Sequence, residues 1–129
     1  MNQIFMICTS GTREKMQMAA MITSVAAATG TPVTVFLSMN ALQFFVKGRN
    51  AQAATEGHFG ELMEKSEGVP AFKDLFSMAV ELGDARILPC SMAMDLLEIG
   101  EADLDPELGP PTGLTVFLSE AEGAQIMTF

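Results

Sequence analysis

The chain has 129 residues, 49% of them hydrophobic, and a formal net charge of -9. That length suggests one domain over 1–129, with a core large enough to stand without disulfide staples. The hydrophobic fraction excludes a disordered chain, and the acidic balance disfavours nucleic acid and anionic membrane surfaces as partners.

No segment reads as a membrane span, because the longest weakly polar stretch, Met16 to Ala28, holds Gln17, Thr23 and Ser24 and is too short. The N-terminus has no basic region ahead of its apolar residues, so a cleaved signal peptide is not expected. Two cysteines without a framework fit a reducing cytoplasm. The 11 methionines read either as an adaptable core or as a surface that grips partners.

In chain order, Ile4 to Cys8 is a short apolar run ending in Thr-Ser-Gly, which reads as a buried strand and a turn. Thr12 is placed to cap a helix on which Met18, Met21, Ile22 and Val25 have helical spacing, and Gly30 stops it. Pro32 precedes the β-branched strand Val33–Leu37. Ser38 or Asn40 then opens a helix carrying Leu42, Phe45 and Val46, ended by Gly48. From Gly48 to Pro70 the chain turns polar and glycine-rich. This stretch reads as a surface excursion with one short helical piece, Phe59 to Ser66. Ala71 to Leu82 is predicted as a helix with Phe72, Leu75, Phe76 and Ala79 on one face, stopped by Gly83. Arg86 to Pro89 is a short strand and Ser91 to Ile99 a helix. Glu101 to Pro111 reads as irregular or as a poor strand. Leu114 to Leu118 fits a strand or a buried helix equally by pattern, and Ala124 to Phe129 reads as a strand. The alternation predicts an α/β fold with a mostly parallel sheet and helices on both faces.

In such sheets ligands bind outside the carboxyl ends of the strands. Cys8 ends the first strand there, and Cys90 sits between a strand and the first turn of the next helix. With a flavodoxin-like strand order the two thiols would share one crevice. Helix N-termini present unpaired N–H groups and partial positive charge, which favour a thiolate. Cys90 therefore reads either as a low-pKa working thiol or as a packed small apolar residue. Cys8, inside an apolar run, reads first as packing. Arg13 and Lys15 oppose the dipole of their helix, a cost that reads first as tolerated by solvated side chains and otherwise as offset by a nearby anion. His58, the only histidine, falls in the polar excursion and reads as an exposed loop residue. The loop Thr9-Ser10-Gly11-Thr12 lacks the patterns of phosphate and dinucleotide loops. No His/Cys set has zinc spacing, so no metal or cofactor is expected. The numerous Asp and Glu residues read as solvated surface.

Several features together resemble the DsrE/DsrF-like sulfur-handling proteins, in particular their cytoplasmic, peroxiredoxin-like branch. They are the strand entering Thr-Ser-Gly, the strand Val33–Leu37 before a Phe-rich helix, the helix ending at Gly83, the segment Pro89-Cys90-Ser91-Met92-Ala93-Met94-Asp95-Leu96-Leu97, and Gly113–Leu118 before a strand ending in Phe129. The resemblance implies a flavodoxin-like three-layer sandwich with roughly five strands and makes Leu114–Leu118 a helix. It also implies a homo-oligomer (trimer or hexamer) and a persulfide carried on Cys90. Such proteins pass sulfane sulfur between rhodanese-type donors and TusA-like acceptors. The expected activity is that of a sulfurtransferase working as a carrier rather than a high-turnover enzyme. Cys90 would be the nucleophile, the Ser91 and Met92 N–H groups would stabilise its anion, and Cys8 would be a resolving or second sulfur-binding thiol. The alternatives are a non-catalytic oligomeric binding module and a redox sensor using a Cys8–Cys90 disulfide.

Overall fold

The computed structural model describes residues 3–129. Four strands, β1 (Ile4–Cys8), β2 (Val33–Leu37), β3 (Ala85–Pro89) and β4 (Gln125–Thr128), form one parallel sheet in the order β3-β2-β1-β4. The helices are α1 (Arg13–Ala28), α2 (Met39–Leu42, tightening into a 3-10 turn over Gln43–Phe45), α3 (His58–Lys65), α4 (Phe72–Leu82), α5 (Ser91–Leu97) and α6 (Leu114–Glu120). The segment at Leu114 is thus a helix. The class is the expected parallel α/β fold, but the sheet is one strand short of five. Residues 109–112 run along the free edge of β3, with Gly109 N–H on the Ile87 carbonyl (2.7 Å) and Thr112 N–H on the Pro89 carbonyl (2.9 Å). Pro110 and Pro111 remove two ladder donors in a row, so a full strand does not form.

Side-chain alternation puts Met6, Cys8, Val35, Leu37 and Ile87 on one face and Phe5, Thr34, Phe36 and Leu88 on the other. The first face is covered by α1, whose Thr23 hydroxyl donates to Met6 Sδ (3.3 Å), and α4 packs along α1. The second face is covered by α6, whose Phe117 meets Phe5 edge-on (5.4 Å between centroids) and Phe36 (5.0 Å). This division follows from handedness. The steps β1 to β2 to β3 run one way across the sheet, and the return to β4 runs the other way. Right-handed crossovers then lie on opposite faces.

The methionine stripe of α1 does not face the sheet. Met18, Met21 and Val25 are largely exposed, and the buried positions are Met16, Gln17, Ala19, Ala20, Thr23 and Ala26. Small residues on the inner side let α1 lie close to both the sheet and α4. The closest approach is at Gly83, where an added Cβ would stand 2.6 Å from Ala27 Cβ and 3.1 Å from its Cα. Part of that obstruction is backbone, which cannot rotate away. Gly83→Ala is expected to cost about 1–3 kcal/mol through overpacking, read as a lower urea midpoint with an unchanged m-value.

Thr12 begins α1 by backbone geometry, but its hydroxyl does not cap the helix. It bonds instead to the Ser10 hydroxyl (2.9 Å), whose oxygen also accepts the Thr12 N–H (3.0 Å). This pair shapes the turn leaving β1.

Candidate functional site

Cys90 follows the last residue of β3, and its backbone N–H donates to the Leu37 carbonyl (2.9 Å), so it is tied to the carboxyl end of β2. On its other side it pairs in parallel with Thr112. After α5 the chain turns towards the α2 side, where Lys47 N–H donates to the Asp103 carbonyl (2.8 Å) and Asp105 N–H to the Phe45 carbonyl (2.9 Å). After Thr112 it enters α6 on the opposite face. The connections therefore diverge at the Cys90–Thr112 pair, the kind of place where open α/β sheets form ligand crevices. A cleft of about 480 Å³ along the β3 edge reaches Thr112 and Gly113. Cys90 is not on its wall and is 6% exposed.

The donors around Cys90 differ from the expectation at one residue. Ser91 N–H is spent on the Thr112 carbonyl (3.0 Å), so it is not available to an anion on Cys90. Met92 N–H donates to no protein acceptor among the described residues, and the same holds for Ala93 N–H; Met94 N–H closes the first turn on the Cys90 carbonyl (3.0 Å). The open donors are thus Met92 and Ala93. Met94 is buried beside Cys90 in the core, while Met92 is half exposed. Met39, just past the end of β2, holds a left-handed backbone (φ 52°) that a side chain makes costly.

Cys8 is fully buried at the end of β1. The structure does not bring it to Cys90, because β2 lies between β1 and β3. Two strand spacings amount to about 9.5 Å, whereas a disulfide needs its Cα atoms within about 7 Å. The shared crevice expected from a flavodoxin-like order is absent for this reason. Burial pushes the Cys8 thiol up to about 12. In the unfolded chain the same thiol ionises near 9. Between these values the unfolded state loses a proton that the folded state keeps, so stability falls as pH rises. Thermal melts are expected to show this decline above about pH 9 in the native chain, and a shallower one in Cys8→Ala. At pH 8, iodoacetamide is expected to leave Cys8 unmodified until urea unfolds the protein, as read by peptide mass.

Of the two cations at the start of α1, Lys15 pairs with Glu56 (3.5 Å), and Arg13 Nε is buried without a protein acceptor. His58 is exposed at the start of α3 beside Glu61 (3.7 Å). Among the described residues no group of three or more His, Cys, Asp or Glu side chains is arranged to hold a metal, and no helix is long and apolar enough to cross a membrane.

A four-stranded parallel sheet with helices on both faces defines an α/β protein, and Cys90 lies in it between β3 and α5. The chain belongs to the DsrE/DsrF/DrsH-like family, which matches residues 47–129 and so includes Cys90. Two solved structures share the fold over the full length of both chains. One is MTH1491 of Methanobacterium thermoautotrophicum, a protein of unknown function (TM-score 0.71, 9% identity). The other is the ychN protein of E. coli (TM-score 0.65, 14% identity). Among curated proteins, none matches the sequence.

Proposed function

We propose that this protein is a cytoplasmic carrier of sulfane sulfur, held as a persulfide on Cys90. The observation that carries the reading is the position of Cys90, where the sheet's connections diverge and the Met92 and Ala93 N–H groups have no other acceptor. Membership of a family commonly linked to sulfur chemistry supports it. In the reaction, the Cys90 thiol gives its proton to solvent, and the thiolate attacks the outer sulfur of a donor persulfide or polysulfide. The sulfur–sulfur bond of the donor breaks. The donor leaves as a thiolate, or as a polysulfide shorter by one atom, and Cys90 holds the transferred sulfur as a persulfide anion. The reverse displacement by an acceptor thiol returns Cys90 to its starting state, so no net oxidant is consumed. Donors of rhodanese type and TusA-like acceptors have the chemistry required. Cys8, buried and distant, packs the core in this reading rather than resolving the persulfide.

A homo-oligomer, trimer or hexamer, is part of the proposal. It is supported by the exposed apolar side chains of Leu114 and Leu118, one turn apart on α6, and of Ile126 on β4. The test of the carrier reading is intact mass after incubation with inorganic polysulfide. A gain of about 32 Da, one sulfur atom, mapped to the Cys90 peptide supports it. No adduct, or an adduct confined to another residue, overturns it.

A further inference from the structure

The excursion between α2 and α4 is fastened at two points. Before α3, Ala54 is bonded in both directions to the turn leaving β1, through Arg13 N–H on its carbonyl (2.8 Å) and its own N–H on the Gly11 carbonyl (3.2 Å). After α3, the Gln17 amide donates to the Pro70 carbonyl (3.0 Å). Between these anchors, among the described residues, every hydrogen bond or ion pair from 55–69 to the remainder of the protein goes to Glu14 or Lys15 of α1. The Glu14 carboxylate accepts the N–H groups of Glu56 (2.9 and 3.0 Å), Gly57 (2.9 Å) and Gly60 (3.2 Å). Within 55–69 only Gly60 is buried. The reason is Glu14 itself: a Cβ on Gly60 would lie 2.6 Å from the carboxylate. Almost no apolar burial holds the segment, since Phe59 is 69% and Leu62 47% exposed. Yet Phe59 and Met63 form one wall of an apolar groove of about 430 Å³ whose other walls include Met21, Val25 and Leu75.

We propose that residues 55–69 are a flap latched by the Glu14 carboxylate, and that release of this latch opens the apolar groove beside α1 while the sheet stays folded. The helix N-terminus of α3 is satisfied here by an anion from another element, in place of a cap of its own. The Glu56 N–H, followed by those of Gly57 and Gly60, holds Glu14 below the ordinary carboxylate value against the opposing effect of desolvation, so the latch is charged near neutral pH. Low-stability segments of this kind open locally, without global unfolding.

The test is hydrogen exchange by mass spectrometry on the full chain, with two variants that reach the latch from opposite sides. Glu14→Ala removes the acceptor, and Gly60→Ala fills the space the carboxylate occupies. Both are expected to speed exchange in 55–69 by about 10- to 100-fold, the loss of a charge-assisted contact. Exchange in β1, β2 and β3 should stay within error of the native chain, and an apolar dye such as ANS should bind more strongly. Unchanged exchange in 55–69 in both variants overturns the latch. Equal acceleration in the flap and the sheet overturns local opening.

Discussion

Cys90→Ser is expected to abolish persulfide formation, with no one-sulfur adduct after polysulfide treatment, while Cys8→Ser still gives the adduct on Cys90. The contrast follows from position. Oxygen in place of sulfur at residue 90 removes the nucleophile but leaves the backbone pairing with Leu37 and Thr112 in place, so the fold should survive. Cys8 is sealed in the core and its ionisation is suppressed, so it contributes no reactive anion near neutral pH. The comparison also separates chemistry from stability. Cys8→Ser places a hydroxyl in an apolar site and should lower the melting temperature, whereas Cys90→Ser should change it less. An adduct in Cys90→Ser equal to that of the native chain would rule out the carrier reading.

Phe117→Ala is expected to produce the largest loss of stability of any single change considered. Phe117 is fully buried, and its ring is shared between Phe5 of β1 and Phe36 of β2. It is the only fully buried large side chain of α6, the helix that covers this face of the sheet. Truncation leaves a cavity between α6 and the sheet, where the ring meets Phe5 and Phe36. Large-to-small changes of this kind cost about 3–5 kcal/mol, a large share of the roughly 5–15 kcal/mol that holds a domain of this size folded. Chemical denaturation followed by far-UV circular dichroism measures it, and a change below about 1 kcal/mol would contradict the packing described here.

Most of the fold was legible along the chain because its signals are local. Apolar runs such as Ile4–Cys8 and Val33–Leu37 end in turn residues, and Gly83 closes its helix. The placement of Cys90 between strand and helix was legible for the same reason. Strand order was not, because parallel neighbours are chosen by crossovers whose partners lie far apart in sequence. It is that order which parts Cys8 from Cys90. The partner of the Ser91 N–H is illegible on similar grounds, since its acceptor, Thr112, comes from a later segment. In the sequence Glu14 is one acidic residue among many. Its significance depends on amides more than 40 residues away, and the pair of glycines at Gly57 and Gly60 is the only local hint of the close approach. On α1 the spacing of Met18, Met21 and Val25 marks the exposed side, and alanines make much of the tighter contact on the inner one.

The two prolines beside β3 have a consequence for how the molecule meets copies of itself. A parallel sheet with bare edges is a template on which further strands can add without limit. Here the β3 side is already occupied by 109–112, a segment in which Pro110 and Pro111 supply no amide hydrogens for a further strand to pair with. Strand-by-strand growth is therefore blocked in that direction. The opposite rim, β4, remains open among the described residues, with β1 on its inner side only. Any assembly made by extending the sheet must start there, and with one receptive rim per chain a trimer or hexamer has to be held together through other faces of the molecule.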